Sequence, residues 1–457
     1  MMNLYGKLFQ SVLFPAWESG VKKRPTLNRR NFLEKTQWRS LDELHAIQAG
    51  ALRRLIRHAY ANVPLYREKL QAVGLTDANI RTPEDLRKMP LLSRNEARAR
   101  PKDRESTAAP FTAIRKNTGG TTGQPLLFGY DLDSEYWRNA AKLRGYGWAG
   151  YQLGDKALHF WGAPVERRPP FQKRAKIAVD RWLRREHYIS CGVMSDEVLA
   201  LAARTIATER PTALVCYTQA GAELARFITK NGLRKWESVN VICGAERLFP
   251  HDRAALEAAF GPGVYETYGC REVMLIGGEC EAHDGLHLTM ENLIVEVLVT
   301  EADGTSRPAK EGERGDVVIT DLHNLGMPFI RYANGDSAIA GPTTRCSCGR
   351  TLPRLAYVEG RTTDTLRDAE GSAISGLVFN VVFTALASAV RQFQVVQHKD
   401  RSVTLRVVPG EAFNEAVLEE TRRECGRFLK GVDVRIEKVA EIPLTAGGKH
   451  RVSIVET

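Results

Sequence analysis

"SDEVLALAARTIATERPTALVCYTQAGAELARFITKNGLRKWESVNVICGAE", Ser195 to Glu246, decides the fold class because its hydrophobic period changes from segment to segment. "SDEVLALAARTIATE" and "AGAELARFITKNG" repeat apolar residues every three or four positions, as a helix with one buried face requires. "ALVCY" and "SVNVICG" are short β-branched or aromatic runs of strand length. Helix and strand in alternation predict an α/β layered domain. Upstream, "KALHFWG" (Lys156 to Gly162) extends the same alternation. Downstream, "IVEVLV" and "GDVVITDL" predict a more purely β region.

Before this layer, residues 40–75 read as helical, with apolar spacing of three and four through "LDELHAIQAGALRRLIRHAYANVPLY". After Gly360 the style changes. "TDTLRDAEGSAIS" predicts a hairpin around Glu370-Gly371, and "LVFNVVFTALAS" a helix. "RQFQVVQH" and "SVTLRVV" predict two strands, "NEAVLEETRRECGRFLK" a helix and "DVRIEKVA" a last strand. That order outlines a small ferredoxin-like α+β domain. The expected organisation is a large layered α/β domain over residues 1–359, with a mainly helical lead-in over 1–110, and a small α+β domain over 360–457.

Composition bounds the partners. A chain of 457 residues, 43% hydrophobic and 26% charged, suits two or three globular domains. The net charge of +11 raises the question of nucleic acid. Its basic runs, "VKKRPTLNRRN" (Val21 to Asn31) and "RWLRRE" (Arg181 to Glu186), lack interleaved stacking aromatics and any nucleic-acid signature, so no nucleic-acid partner is expected. A solvated basic face or an anionic small substrate accounts for the charge. No window of eighteen apolar residues predicts a transmembrane segment. The opening "MMNLYGKLFQSVLFPAW" is amphipathic without the pattern of a signal peptide, and predicts a docked helix, with contact to a membrane surface as the alternative. Eight cysteines are too sparse for a disulfide framework, which makes a cytoplasmic setting the expectation.

The chemistry gathers in six segments. "NTGGTTGQP" (Asn117 to Pro125) is a loop between strand-like runs, and its make-up fits either a phosphate cradle or a flexible hairpin. It is not a Walker A loop, since no Gly-Lys-Ser/Thr follows. "CGAERL" (Cys243 to Leu248) follows a strand, where α/β proteins bind ligands. In "YETYGCREV" (Tyr265 to Val273), Glu272 offers a hard oxygen ligand suited to Mg²⁺. Asp336 in "IRYANGDSA" reads as a turn carboxylate able to accept from ribose hydroxyls, and Arg361 in "GRTTDTL" could reach the same ribose. Lys449, between glycine and histidine in "PLTAGGKHR", is placed to meet developing negative charge.

This ordered set resembles the adenylate-forming superfamily, and more closely the phenylacetate–CoA ligase branch with its relatives encoded beside capsular polysaccharide genes. The resemblance covers nearly the whole chain, including "LIRHAYANVPLYREKL" (Leu55 to Leu70). It implies that Thr118, Gly119, Gly120, Thr121, Thr122 and Gly123 grip the phosphates of ATP. Gly244, Ala245 and Glu246 fall on the adenine loop, Tyr268 stacks on adenine, and Gly269 lies along the acyl site. Glu272 holds the metal, Asp336 and Arg361 hold the ribose, and Lys449 is the adenylation lysine on a mobile small domain. Tyr217 joins Gly244 and Gly269 in the acid pocket. Gly120 stands where a hydroxyl is usual and Gln124 where many members have lysine. Thr363 takes the hinge position, with Asp364 next.

A second constellation is independent of ATP. Cys280 and the histidines of "CEAHDGLH", with Cys346 and Cys348 of "RCSCGR", could close a tetrahedral Cys₃His zinc site, or are ordinary reduced cysteines beside a polar loop. The resemblance links such cysteines with structural zinc. His287 is preferred because a strand follows it directly, and His283 is the alternate.

The resulting expectation is an ATP-dependent, AMP-forming carboxylic acid ligase using Mg²⁺, with coenzyme A as thiol acceptor. An amine or hydroxyl acceptor, as in polysaccharide or amide biosynthesis, is the alternative enzyme. A non-catalytic nucleotide-binding scaffold is the alternative class.

Overall fold

The helix and strand periods become one broad sheet with helices packed on it. The computed structural model describes residues 4–108, 114–117, 126–161, 171–191, 196–361, 365–370, 373–375, 389–410, 412–443 and 453–456. Strands β1 (Ile114–Asn117) and β2 (Leu127–Tyr130) form an antiparallel pair with Asn117 opposite Leu127. Strands β3 (Ala157–Phe160), β4 (Glu186–Ile189), β5 (Ala213–Tyr217), β6 (Asn240–Gly244) and β7 (Val264–Cys270) are parallel and lie in the order β4-β3-β5-β6-β7. Strand β8 (Met274–Gly278) turns back antiparallel on β7 and pairs with β9 (Leu286–Leu288). β10 (Leu293–Thr300), β11 (Ser306–Pro308), β12 (Arg314–Asp321), β13 (Tyr332–Ala340) and β14 (Arg354–Arg361) complete a twelve-stranded sheet, ordered β11-β10-β12-β13-β14-β9-β8-β7-β6-β5-β3-β4.

The central parallel strands β3, β5 and β6 read as largely apolar runs because they are covered on both faces. Leu214, Cys216, Val241 and Cys243 pack on one side against Leu199, Ile206, Leu224 and Leu256 of the connecting helices Asp196–Glu209, Thr218–Lys230 and Pro250–Phe260. Alternate residues Ala213, Val215 and Ile242 pack on the other side with Ala149 and Tyr151. The lead-in is helical, as its spacing predicts. Helix Leu41–Asn62 starts on a capping box, Ser40 Oγ accepting from the Glu43 amide at 3.3 Å while the Glu43 carboxylate accepts from the Ser40 amide at 3.0 Å. Its face Leu44, Leu52, Leu55, Ile56 and Ala59 is buried. The next helix begins at Pro64, where a missing N–H costs nothing. The N-terminal helical stretch docks through Phe9 and Phe14, which bury against Leu153.

The chain divides into two compact units, Met1–Leu248, Asp252–Asn334 and Ala338–Val358 in the first, Phe249–His251, Gly335–Ser337 and Glu359–Thr457 in the second. In the second, β15 (Thr365–Arg367) and β16 (Ala373–Ser375) pair antiparallel, with Leu366 opposite Ile374. β17 (Val390–Gln397), β18 (Val403–Pro409), β19 (Val434–Lys438) and β20 (Ser453–Val455) form a sheet ordered β19-β18-β17-β20. The sequence reading stops at β19. β20 is an additional strand, parallel to β17. Helix Glu415–Phe428 is capped by Asn414, whose side chain accepts from the Val417 amide at 3.0 Å. The helix expected over "LVFNVVFTALAS" lies outside the described residues. Among the described residues, no helix is long and apolar enough to cross a membrane.

Candidate functional site

The carboxyl ends of β5, β6 and β7 gather the first group of expected site residues on the first unit. Tyr217 ends β5 opposite Gly244, the last residue of β6. Trp161, one residue past β3, packs its ring 4.2 Å from that of Tyr217 at an angle of 46°. The same indole explains the glycine: a Cβ on Gly244 would stand 3.2 Å from Trp161 Cη2 and 3.0 Å from Thr267 Oγ1. Ala245 follows with φ +69°, the left-handed region that a residue with a Cβ seldom adopts. The loop is held there by its neighbour. The Glu246 carboxylate accepts from the Gln219 amide at 3.0 Å, and its carbonyl accepts from Thr218 Oγ1 at 2.8 Å, at the first turn of helix Thr218–Lys230. An acid at a helix N-terminus is favourably placed, and here it clamps the strand-end loop onto that helix.

Tyr268 lies at a register shift on β7, and its hydroxyl accepts from Asn334 Nδ2 at 2.8 Å. Gly269 follows at the same bulge, facing the Met274 carbonyl where any Cβ would collide. Glu272 sits in the β7–β8 turn and is only 3% exposed. Arg94 Nη1 donates to its Oε1 at 2.8 Å, and the Tyr332 hydroxyl donates to the same oxygen at 3.3 Å. Burial, with the nearby Glu272 charge, holds the Tyr332 phenol well above its ordinary pKa, so it stays a donor at neutral pH. The Glu272 carbonyl accepts from Arg138 Nη2, which is also paired with buried Asp321 at 2.9 Å. Glu272 is thus fixed through side chain and backbone together. Among the described residues, both side-chain contacts to the carboxylate fall on Oε1.

Arg94, Arg138, Trp161, Tyr332 and Asn334 escape the sequence reading. Tyr332 and Asn334 lie within "IRYANGDSA" and Trp161 within "KALHFWG", but no motif gives them a role, and the Arg94–Glu272 contact spans 178 positions. Asp336 is half-buried in β13 rather than in a free turn. Gly335 before it has φ +84°, a kink inside a strand that reads locally like a turn. Asp336 and the Arg361 backbone belong to the second unit, whereas Tyr217, Gly244, Ala245, Glu246, Tyr268, Gly269 and Glu272 belong to the first. Thr118 to Gly123, Gln124, Thr363 and Lys449 lie outside the described residues, as does the Arg361 side chain.

The cysteine and histidine constellation converges. Ligand atoms of Cys280, His287, Cys346 and Cys348 all lie within 4.8 Å of one another. Cys280 Sγ is 4.0 Å from Cys346 Sγ, and Cys348 Sγ is 3.4 Å from His287 Nε2. Tetrahedral zinc with Zn–S bonds of about 2.3 Å sets its sulfurs about 3.8 Å apart, so the cluster has the right size. The His287 ring is oriented by its backbone partner, since Nδ1 lies 3.0 Å from the Leu352 carbonyl and Nε2 is left toward the sulfurs. Burial pulls its pKa down to about 4, so the ring is neutral at pH 7. His283 turns elsewhere, with Nδ1 3.4 Å from Glu279 and its ring stacked 4.9 Å from Tyr265.

The chain is similar to a family model, to curated ligases and to solved ligase structures. Residues 366–456 match the CapK C-terminal domain family. The chain is 26% identical over 439 residues to the phenylacetate-coenzyme A ligase of Thermus thermophilus, covering 90% of this chain and 96% of the relative. It is 29% identical over 357 residues to the phenylacetate-coenzyme A ligase of Escherichia coli, covering 73% and 75%. Among solved structures, a 2-hydroxyisobutyryl-CoA ligase in the postadenylation state superposes with a TM-score of 0.72 at 20% identity, covering 92% of each chain. The fold is that of this CoA ligase.

Proposed function

We propose that this relative of the phenylacetate–coenzyme A ligases is an ATP-dependent, AMP-forming acid–thiol ligase. The observation that carries the reading is similarity to those ligases along most of the chain, joined to a strand-end site whose fixed groups suit the reaction. A carboxylate oxygen of the acid attacks the α-phosphate of ATP, expelling pyrophosphate and leaving an acyl-adenylate. The sulfur of coenzyme A then attacks the acyl carbon and expels AMP. No protein nucleophile is needed, so positioning and charge stabilisation do the catalysis.

Roles are carried over from the family resemblance. Thr118, Gly119, Gly120, Thr121, Thr122 and Gly123 would hold phosphates. Gly244, Ala245, Glu246 and Tyr268 would form the adenine site, and Asp336 with Arg361 the ribose site. Tyr217, Gly244 and Gly269 would line the acid pocket, with Trp161 as its added wall. Mg²⁺, when bound, would neutralise phosphate charge, and Glu272 would hold it. Lys449 would supply an ammonium to the adenylating state. Zn²⁺ in the Cys280, His287, Cys346 and Cys348 cluster would be structural, since four protein ligands leave no open position. The match to the CapK C-terminal domain favours, as a second reading, an amine or hydroxyl acceptor in capsular polysaccharide biosynthesis. We place the enzyme in the cytoplasm, where ATP and reduced thiols are available.

The test is pyrophosphate exchange into ATP over a panel of carboxylic acids, followed by acceptor trials with coenzyme A and amines. Exchange with at least one acid is expected. A folded protein silent across a broad panel would move the reading to a nucleotide-binding scaffold.

A further inference from the structure

Three sequence features without a role in acid activation meet at one place on the first unit: the amphipathic N-terminus and the two basic runs at Val21 and Arg181. The Tyr5 hydroxyl donates to the Leu183 carbonyl at 2.7 Å, and Lys22 Nζ pairs with Asp180 at 3.5 Å. The Arg184 guanidinium lies 5.3 Å from the Phe14 ring. The helix Phe171–Arg184 therefore meets the N-terminal segment through Asp180, Leu183 and Arg184. At about 3.6 residues per turn, Ala175, Ala178, Val179 and Trp182 fall on its far side. All four are exposed, Trp182 to 76%. Asp180 and Arg184 thus face the N-terminal segment while these four apolar side chains face out. The N-terminal segment also leaves apolar side chains outward. Phe9 and Phe14 turn in, while Leu4, Leu8, Val12 and Val21 stay exposed, at 85%, 48%, 53% and 68%.

We propose that this face docks on an anionic lipid bilayer, laying Trp182, Leu8 and their apolar neighbours into the headgroup region. The charge selects that occupant. Residues 4–24 and 171–185 carry four and six basic side chains against one carboxylate each. The Asp180 carboxylate is paired with Lys22 and with Arg184, and Glu18 accepts from Thr26 while pairing with Arg24. Lys7, Lys23, Arg24, Arg174 and Arg181 remain exposed around the apolar residues. A second copy of the chain would bring these cations against their own images in a two-fold interface. A negatively charged bilayer pairs with all of them, and tryptophan is favoured at headgroup depth.

The experiment is co-sedimentation of the full chain with equimolar phosphatidylglycerol–phosphatidylcholine vesicles and with pure phosphatidylcholine vesicles. The protein should sediment with the anionic vesicles, far less with the neutral ones, and less as salt rises. Leu8→Glu with Trp182→Glu should weaken binding at least ten-fold while leaving the thermal transition unchanged. Each basic residue near an anionic surface strengthens binding roughly five-fold, so Arg174→Glu with Arg181→Glu should cost at least roughly twenty-fold. No sedimentation by the wild type, or equal sedimentation by the variants, overturns the proposal. So does a wild-type dimer that Trp182→Glu dissociates, since a second copy would then own the face.

Discussion

Removing the metal cluster should lower stability by an amount its surroundings set. Cys280 and His287 lie on the β8–β9 side, and Cys346 with Cys348 on the turn before β14, so a bound cation ties together segments 66 residues apart. The cluster does not have to create the fold around it. His287 is already opposite Gly278 and Arg354 in the sheet, and the Cys346 amide donates to the Arg350 carbonyl at 3.0 Å. The relevant magnitude is therefore mass-action stabilisation of a formed site, well below the whole folding energy that zinc supplies to a zinc finger. Metal at about a thousand times its Kd contributes about 4 kcal/mol. Each kcal/mol moves the midpoint of a domain this large by about 2–4 °C, so loss of metal should cost on the order of 10 °C. Elemental analysis of protein purified without added metal should find one zinc per chain. Cys346→Ser with Cys348→Ser should lose both the zinc and those degrees in a thermal melt, and a strong chelator should reproduce the shift in the wild type. His287→Ala should behave likewise, whereas His283→Ala should keep the metal. A stable wild-type protein free of metal, or full zinc occupancy in the double serine variant, refutes the argument.

Other consequences are separately measurable. Lys449→Ala should slow pyrophosphate exchange roughly a hundred-fold, as loss of one preorganised donor to transition-state charge does, while acyl transfer from a supplied acyl-adenylate stays near normal. Equal loss in both half-reactions would point to a structural defect instead. Arg94→Gln removes the main charge partner of the buried Glu272 carboxylate and should cost about 3 kcal/mol in denaturant unfolding, at the low end for a broken buried pair because Arg94 is partly exposed. Trp161→Ala should open the acid pocket, shifting preference toward bulkier acids in exchange assays, and Gly244→Val should close it against Trp161. Burial pushes the Glu266 carboxyl up to about 7, with Glu279 nearby adding to the rise against Arg247 and Arg253. A folded pKa above the unfolded value of about 4.3 means that the native state holds the extra proton. Its contribution is then full below that value and falls as pH rises toward 7. Glu266→Gln keeps an oxygen for the Leu248 amide and should flatten this decline in a pH series of thermal melts.

What could be read from the chain alone depended on whether the physics was local. The β3, β5 and β6 layer was legible because those strands are largely buried while the helices between them bury one face, so the two periods differ within a few residues. The hairpin of β15 and β16 was legible from its turn residues Glu370-Gly371, though not its register. β20 was not, since three residues carry no period and its partner β17 lies more than fifty positions away. The site divides in the same manner. Ligand-type residues such as Cys346, Cys348 and Glu272 declare their chemistry by identity, but their supports do not. Arg94 is one arginine among many until tertiary structure sets it on Glu272, and Trp161 is an ordinary strand-end aromatic until Gly244 leaves room for it. The choice between His287 and His283 shows the boundary most clearly. Both follow Cys280 closely enough to reach a shared ion, so spacing cannot separate them. Strand register separates them: pairing with Gly278 and Arg354 holds His287 in the sheet, the Leu352 carbonyl orients its ring, and Cys348 meets Nε2. His283, at φ +50° in the preceding turn, is drawn to Glu279 instead.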